Sequence, residues 1–419
     1  MDVPIGLWRL LTAVQPWRAP LAFQRHGLTL ATLTFLAARN HPAEVALIDD
    51  EGALTYGELA RMAREHHTSG ERIVVRELND RSFVISVVAG LLHNADVVLA
   101  DPRGPAVEVG KQRAGRRGQV VVMTSGSTGT PKVVERKLTP AQVMPITTLV
   151  RRLPLKHGVP LVVTQPLFHG FGLGFLALGL AFGMPVVVRR HFDPEQVAEF
   201  LQPGFVLTGV PPILSKVART GVHVPLRAVV SGAGPLHPAV ADRLTKAFGP
   251  VVFNLYGSSE DGWSTLATPE DLAEAPGTIG RAATGVRIAI LDDEGRPVAP
   301  GEIGHVWIES SLQTRRGDSG DLGHRDSADR FFIDGRADDL IVTGGENVFP
   351  IEVENVLLTH PAVAEVRVVA VPDEEYGALP AARVVRRDAV QAEELINYAR
   401  ERLAPAKVPR QILFADDHV

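Results

Sequence analysis

The feature that most constrains the fold of this chain is a series of short runs of β-branched residues, each ended by glycine, proline or polar residues. Eight such runs lie between residues 71 and 257, among them "ERIVVREL", "ADVVLA", "QVVVMTS" and "VVFNLYG". Runs of this length are typical of strands buried on both faces of a parallel sheet. Helical stretches such as "FVISVVAGLLHN" and "HPAVADRLTKAFG" lie between them. This alternation predicts an α/β fold.

From about residue 276 the pattern changes to the alternation of antiparallel hairpins, with "DDEG" and "APGE" as turns, which predicts a β-rich subdomain. After "FFIDGRADD" the segments "ENVFPIEVENVLLTH", "VAEVRVVAV" and "AEELINYARERLAP" predict a small α+β unit. We therefore predict a large N-terminal domain over residues 1–335 and a small C-terminal domain over residues 336–419.

Composition excludes several classes of function. A net charge of -5 argues against nucleic acid as a general partner, because binding phosphates requires basic stripes. The absence of cysteine rules out disulfides, thiolate catalysis and cysteine-bound zinc. The 14 histidines lack HExxH or HxxxH spacing, so the sequence predicts no histidine metal site. We expect no transmembrane segment and no signal peptide, hence a cytoplasmic protein.

The loop "MTSGSTGTPK" at residues 123–132 follows a predicted strand and differs from the common phosphate loop, because Pro131 separates Thr130 from Lys132. Its glycines allow backbone amides to approach phosphate oxygens closely. Hydroxyl groups and one cation add further donors. The loop therefore predicts a polyphosphate site; a flexible surface turn is the alternative.

Four further segments lie where a nucleotide site would need them. In "LYGSSEDG" an aromatic face can stack on a base and Glu260 can bind a cation. "SGAGPL" is a glycine turn at a strand end, where open α/β sheets bind ligands. Asp321 in "GDLGHRD" suits the hydroxyls of a ribose, and "GRADDLIVTGGENVFPIEVE" offers Arg336 and a glycine pair. From the residues alone, the alternatives are a core aromatic at Tyr256 and a turn-forming aspartate at Asp321.

In this order and spacing the five motifs resemble those of the adenylate-forming superfamily, which includes acyl- and aryl-CoA synthetases, peptide-synthetase adenylation domains and luciferases. "TYGEL", "LFHGFGLG" and "LAPAKVPR" are similar to it as well, and the resemblance, closest to acyl-CoA ligases, runs from about Ala46 to the end. It implies a large N-terminal domain with parallel-rich sheets and a small mobile C-terminal domain. It also implies that ATP and Mg²⁺ activate a carboxylic acid to an acyl-adenylate, whose acyl group passes to a thiol, most simply that of CoA.

The resemblance assigns roles to single residues. It implies that the phosphates contact the loop, that is Thr124, Ser125, Gly126, Ser127, Thr128, Gly129 and Lys132. It implies that Glu260 and Thr128 hold Mg²⁺, that Tyr256 stacks on adenine, and that the base pocket contains Gly232, Ala233, Gly234 and Gly257. Lys132, Glu260, His169 and Thr128 are the implied catalytic residues.

The remaining implied roles concern the ribose, the hinge and the two substrates. Asp321 binds the ribose, Arg336 reaches the ribose or phosphates, and Asp338 is the hinge of the C-terminal domain. His169 stands near the carboxylate and α-phosphate, with a structural histidine as the alternative. Phe171 and Gly257 line the acyl pocket, with core packing as the alternative, and the CoA arm passes Gly344, Gly345 and Glu346.

"PLFHGFGLG" favours an acid without an amino group, fatty or aromatic, over an amino acid, and fatty acid metabolism is one expected setting. Members of the superfamily carry a lysine near the C-terminus that serves adenylation, and this sequence ends at Val419 before that position. We therefore expect a truncated C-terminal domain, in which the missing lysine bears on adenylation and not on thioester formation. Two alternatives stay open: transfer to a carrier-protein thiol or a non-thiol nucleophile, and a catalytically impaired member that binds nucleotide or acyl-adenylate.

Overall fold

The computed structural model describes residues 26–68, 70–104, 107, 118–124, 132–135, 144–258, 262–310 and 317–415, together with residues 9, 12 and 13. For residues 123, 124, 132–135 and 310 only the backbone is described. Helices and strands alternate through the described residues up to about residue 250, and an antiparallel sheet and a mixed sheet follow, so the predicted α/β class is confirmed.

The strands within this part of the chain are β1 (Val45–Asp49), β2 (Gly52–Thr55), β3 (Arg72–Val75), β4 (Asp96–Leu99), β5 (Val120–Thr124), β6 (Lys132–Glu135), β7 (Leu161–Val163), β8 (Val186–Val187), β9 (Val206–Gly209), β10 (Ala228–Gly232), β11 (Val252–Ser258), β12 (Gly262–Ala267), β13 (Arg281–Ala282), β14 (Val286–Leu291), β15 (Gly304–Ser310), β16 (Gly317–Arg325), β17 (Phe331–Arg336), β18 (Ile341–Thr343), β19 (Glu346–Val348), β20 (Val363–Asp373), β21 (Gly377–Arg386) and β22 (Gln411–Ala415). All eight β-branched runs of the sequence form strands, as predicted.

The α-helices of the same part are α1 (Leu30–Asn40), α2 (Tyr56–Glu65), α3 (Arg81–Leu92), α4 (Met144–Arg152), α5 (Gly170–Ala181), α6 (Pro194–Phe200), α7 (Pro211–Arg219), α8 (Pro238–Phe248), α9 (Pro269–Glu274), α10 (Pro350–Leu357) and α11 (Ala392–Arg400). Several begin at capping residues. The Thr55 hydroxyl accepts a hydrogen bond from the Glu58 amide, and the Glu58 carboxylate accepts one from the Thr55 amide. Together these bonds form a complete capping box.

The largest sheet has nine strands in the order β13-β12-β11-β10-β9-β7-β8-β1-β2. Its central pairs, from β1–β8 to β10–β11, are parallel, and its outer pairs are antiparallel. A second sheet, β3-β4-β5-β6, is parallel except for its β5–β6 pair. Helices α1, α3 and α5 contribute to one apolar core with both sheets, and α6, α7 and α8 cover the other face of the large sheet. The parallel strand ends therefore meet at one edge, where a ligand cleft is expected.

The predicted hairpins form a four-stranded antiparallel sheet in the order β14-β15-β16-β17. The last part of the chain forms a five-stranded sheet, β19-β18-β21-β20 with β22 beside β21, which has its own apolar core with α10 and α11. This is the small C-terminal unit predicted from the sequence. The boundary between residues 335 and 336 stays a prediction; β17 ends at Arg336, and the last sheet begins at Ile341.

Candidate active site

A cleft with a volume of about 1420 Å³ lies at the carboxyl ends of β7, β9 and β10 and along β11. One wall is formed by α1 and α5, and another by Gly335 and Arg336 at the end of β17. The C-terminal unit closes the cleft with Asp339, Ile351 and Arg367. The cleft therefore lies where open α/β sheets bind ligands, and both parts of the chain contribute to it.

A hydrogen-bonded carboxylate occupies one corner of this cleft. The Tyr256 hydroxyl donates to Asp321 Oδ2 at 2.5 Å, and Arg336 Nη1 donates to Asp321 Oδ1 at 3.0 Å. Asp321 is 9% exposed. Sequence analysis assigned all three residues to one nucleotide site, and the structure brings them together from β11, β16 and β17. We call this group the ribose corner.

The local backbone explains why the corner forms. Asp321 and Arg336 are direct partners in the antiparallel β16–β17 pair, so their side chains leave the same face of the sheet. Gly320 has a φ of +75°, and a Cβ there would lie 2.8 Å from Arg336 Nη2. Glycine at this position therefore leaves room for the guanidinium, which also donates to the Ser319 carbonyl.

Electrostatics keep Arg336 charged at this corner. Burial acts to lower the pKa of its guanidinium, but the adjacent Asp321 carboxylate outweighs that effect and raises the pKa above the ordinary arginine value. Asp338 acts in the same direction. Because a charge-assisted pair holds both oxygens of Asp321 in place, the carboxylate presents fixed acceptors to the cleft.

The predicted glycine turn follows β10 on the floor of the cleft. A Cβ at Gly232 would lie 3.0 Å from the Phe171 ring and 3.1 Å from the Leu255 carbonyl oxygen, so backbone and ring fill that space. Ala233 adopts a φ of +58°, a left-handed conformation that is uncommon for alanine. A Cβ at Gly257 would lie 1.9 Å from the Gly262 carbonyl oxygen, so only glycine fits there. Ala233, Gly234 and Gly257 line the cleft.

A further part of the cleft lining is apolar and was largely missed by sequence analysis. Helix α5 turns its small residues Gly170, Gly174, Ala177 and Ala181 toward the cleft. The Trp263 ring lies directly over one of them, since a Cβ at Gly174 would lie 2.6 Å from Trp263 Cζ2. The i, i+4, i+7, i+11 spacing of the small residues was a readable signal for one helix face. We call Trp263 and this helix face the acyl wall.

Phe171 belongs to the same wall, and its assignment to the acyl pocket stays a prediction. Its ring packs edge-on against Phe175 with centroids 5.2 Å apart, and Phe175 in turn lies 6.1 Å from Trp263. Leu30 and Leu33 of α1 complete the apolar surface. These residues therefore give the cleft an apolar surface.

His169 precedes α5 and lines the cleft. Its ring lies 4.4 Å from that of Phe168, and its side chain makes no capping hydrogen bond to the helix. Burial lowers the pKa of the imidazole below its ordinary value, whereas the Asp101 carboxylate acts in the opposite direction. The neutral imidazole is therefore the form that faces the cleft at pH 7.

Other predicted residues lie elsewhere. Gly344 and Gly345 form the two-residue turn between β18 and β19 with φ values of +57° and +89°, and they and Glu346 are exposed outside the cleft lining. Asp338 lies in a single exposed 3₁₀ turn, Ala337–Asp339. The backbones of Thr124 and Lys132 are paired across β5 and β6. Outside the described residues lie Ser125, Gly126, Ser127, Thr128, Gly129 and Glu260.

In the part of the chain that the structure describes, every helix is too short or too polar to cross a bilayer.

Two protein-family models match this chain, one in its large N-terminal part and one in its C-terminal unit. The AMP-binding enzyme family model matches residues 114–316, and that of the AMP-binding enzyme C-terminal domain matches residues 352–418. Together they cover more than half of the chain. The chain belongs to the AMP-binding enzyme family. The resemblance to the adenylate-forming superfamily stated from the motifs is thereby confirmed.

Among curated relatives, two are 2-succinylbenzoate–CoA ligases. This chain is 32% identical over 318 residues to the enzyme of Bacillus licheniformis, and 33% identical over 323 residues to that of Geobacillus kaustophilus. These matches cover 71% of this chain but 66% and 65% of the two enzymes, so the chain spans just under two thirds of their length.

The fold is shared with solved structures. The o-succinylbenzoate CoA synthetase of Bacillus subtilis, in complex with its acyl-adenylate intermediate, matches with a TM-score of 0.77 and 24% identity, over 92% of this chain and 95% of that one. An anthranilate CoA ligase in complex with anthranoyl-AMP matches with a TM-score of 0.79 and 19% identity, over 92% and 93%. At these identities the likeness establishes the fold.

Proposed function

We propose that this AMP-binding enzyme uses ATP to convert an aromatic carboxylic acid into its acyl-adenylate and then transfers the acyl group to the thiol of CoA. The observation that carries the proposal is the ribose corner, in which Tyr256 and Arg336 hold the Asp321 carboxylate in a cleft that also has an apolar wall. A polar corner and an apolar wall in one cleft fit the two halves of an acyl-adenylate.

At the nucleotide end, each oxygen of Asp321 accepts one protein hydrogen bond and keeps a lone pair for a ribose hydroxyl. Arg336 adds positive charge on the side where the phosphates would lie. Ala233 and Gly234, which line the cleft, would leave a surface without bulky side chains beside the base, whereas Gly232 is buried in β10. The phosphates would be bound by the loop that ends at Lys132, and Mg²⁺ by Glu260, two assignments that rest on the sequence motifs alone.

At the acid end, the proposal narrows the substrate from a fatty or aromatic acid to an aromatic one. Trp263 over Gly174, with the Phe171–Phe175 pair beside it, forms an aromatic-rich wall, where offset and edge-on ring contacts add to apolar burial. The curated relatives named above are ligases of 2-succinylbenzoate, itself an aromatic acid. Both points favour an acid with a ring near its carboxylate.

The proposed chemistry consists of two displacements. In the first, a carboxylate oxygen attacks the α-phosphorus of ATP and the bond to pyrophosphate breaks. In the second, the thiol sulfur attacks the acyl carbonyl and AMP leaves with the bonding electrons. The first step brings two anions together, so positioning and charge neutralisation carry it. Mg²⁺ supplies much of that neutralisation when bound. His169, a neutral imidazole in the cleft lining, can donate one N–H hydrogen bond to the reacting carboxylate.

The test is carboxylate-dependent ATP–pyrophosphate exchange with 2-succinylbenzoate, benzoate, anthranilate and octanoate. Exchange with one or more aromatic acids and weaker exchange with octanoate is the expected result. Exchange with octanoate alone would contradict the aromatic assignment. No exchange, but thioester formation from a supplied aryl-adenylate and CoA, would confine the defect to adenylation, the half-reaction served by the C-terminal lysine of the superfamily.

The acceptor is tested separately with the same adenylate. CoA, a phosphopantetheine-loaded carrier protein and a simple amine are offered in parallel, and product formation is followed by mass spectrometry. Preference for CoA is the expected outcome, whereas preference for the carrier protein or the amine would overturn that part of the proposal. Failure of both half-reactions would leave a member that only binds nucleotide or acyl-adenylate.

A further inference from the structure

Outside the cleft, two distant segments bring two histidines and a glutamate together. His41 is the C-cap residue that follows helix α1, and its amide donates to the Ala37 carbonyl at 2.7 Å. Glu44 lies three residues further, and its amide donates to the His41 carbonyl at 3.1 Å. His157 lies in the turn before β7. None of the three lines the cleft. Their proximity is therefore unrelated to the proposed nucleotide and acid sites.

The three side chains converge on one point. His41 Nδ1 lies 3.0 Å from Glu44 Oε1, and His157 Nε2 lies 2.7 Å from Glu44 Oε2. One nitrogen from each ring and a carboxylate oxygen all lie within 4.8 Å of one another. Ligands of one zinc ion, at 2.0–2.2 Å from it, are separated by roughly 3–4 Å in a tetrahedral site. Small side-chain rotations therefore suffice to close the three groups around an ion.

The backbone fixes the two segments that carry these ligands. The Gly158 amide donates to the Gly183 carbonyl at 2.9 Å, and the Val159 amide donates to the Lys156 carbonyl at 3.2 Å, so the turn around His157 is held on both sides. Gly183 has a φ of +64°, and a Cβ there would lie 2.3 Å from His157 Cδ2. The His157 imidazole therefore packs against the backbone of Gly183, and a larger residue there would displace the ring.

Comparison with another histidine shows what distinguishes the group. His305 also contacts two carboxylates, but its Nδ1 faces Asp318 at 3.1 Å and its Nε2 faces Asp293 at 3.3 Å. The two contacts lie on different sides of the ring and cannot share one ion. Within the described part of the chain, His41, Glu44 and His157 are the one set of three such groups whose ligand atoms meet.

We propose that His41, Glu44 and His157 form a binding site for a divalent transition-metal ion, with Zn²⁺ as the best match. Two imidazoles and one carboxylate are a ligand set that suits zinc, and partial exposure of the side chains, 42%, 41% and 51%, leaves a position for water. The ion ties the end of α1 to the turn before β7. Since Leu30 and Leu33 of α1 line the cleft, the site braces one of its walls from outside.

The test is isothermal titration of the untagged, chelator-treated full chain with Zn²⁺. We expect one ion per chain and a melting temperature that rises with free Zn²⁺ concentration. His157→Ala and His41→Ala should each weaken binding by about tenfold or more, since even removal of a supporting partner of a metal ligand costs 10–100-fold. The matched control is His305→Ala, which removes a histidine held between two carboxylates and should leave both the stoichiometry and the affinity unchanged.

Folding of each variant is judged by circular dichroism without metal. If an alanine variant fails to fold, Glu44→Gln, which keeps the size of the Glu44 side chain, takes its place. It too should weaken Zn²⁺ binding. Absence of saturable binding would overturn the proposal, and so would equal affinities in wild type, His41→Ala/His157→Ala and His305→Ala. Because the readouts are binding and melting temperature, neither result depends on the proposed enzymatic activity.

Discussion

The ribose corner and the acyl wall both line one cleft, and different forces hold them in place. In the ribose corner, hydrogen bonds of 2.5 and 3.0 Å fix the Asp321 carboxylate between Tyr256 and Arg336. At the acyl wall, shape alone positions the Trp263 ring over Gly174. A hydrogen-bonded group tolerates little change in its donors and acceptors, whereas a close-packed side chain tolerates little change in volume. The corner and the wall should therefore fail differently when altered.

The largest effect is expected at the ribose corner. Asp321→Asn keeps the volume but removes the charge, and the amide nitrogen that replaces one carboxylate oxygen cannot accept from Tyr256 or Arg336. We expect affinity for AMP to fall by about 1.5–3 kcal/mol, roughly ten- to hundredfold, as measured by calorimetry. Asp334→Asn on the neighbouring strand, which alters a carboxylate paired with His324 outside the cleft, is the control. Equal AMP affinity in both variants would contradict the role of the corner.

At the acyl wall, adding one methyl group should act through volume. Gly174→Ala would place a Cβ within 2.6 Å of Trp263, so the ring must move, at a cost of about 1–3 kcal/mol. The KM for the aromatic acid should rise while the KM for ATP stays constant. A Cβ at Gly317 meets no atom within 4 Å, so Gly317→Ala is the matched control. A rise in both KM values would mean that the corner and the wall are not independent.

Trp263→Ala should change the preference between aromatic acids more than the rate of turnover. Removing the ring enlarges the acyl end, so the ratio of kcat/KM for a bulky over a small aromatic acid should rise by about tenfold, within the range for one hydrophobic contact. Trp307→Phe, on β15 and 37% exposed, changes a tryptophan outside the cleft and should leave the ratio unchanged. An unchanged ratio in Trp263→Ala would remove this residue from the acid site.

The smallest effect concerns pH. Because burial lowers the pKa of His169 from 6.5, the neutral imidazole persists as the pH falls through 6.5 and is lost only at lower pH. We expect the acid limb of kcat/KM that depends on His169 to lie below pH 6.5 and to be absent from His169→Gln. The pH profiles of the two proteins check this. A limb above 6.5 that depends on His169 would mean that a nearby anion stabilises the charged form instead.

The ribose corner shows how much could be predicted from the sequence. Tyr256, Asp321 and Arg336 were each assigned from short motifs, and the structure joins them because strand register places Asp321 opposite Arg336. All eight β-branched runs became strands for the same local reason, since a run of such residues favours extended backbone wherever it is buried. The roles assigned to the phosphate loop and Glu260 stay predictions, because those residues lie outside the described part of the chain.

The acyl wall and the proposed metal site show what could not be predicted. Trp263 follows Gly174 by about ninety residues, and His157 follows His41 by more than a hundred, so no local spacing relates either pair. The histidine pattern predicted no metal site, because ligands that come from separate segments leave no motif.

The sequence by itself determined the strands and the glycine turns and predicted the chemistry of the nucleotide end, since these depend on backbone conformation and on residues close in the chain. Only the tertiary structure decided which small helix residues face the cleft, which ring covers them, and which histidines meet Glu44. Those contacts form when apolar faces pack together, and packing selects its partners by shape and volume rather than by distance along the chain.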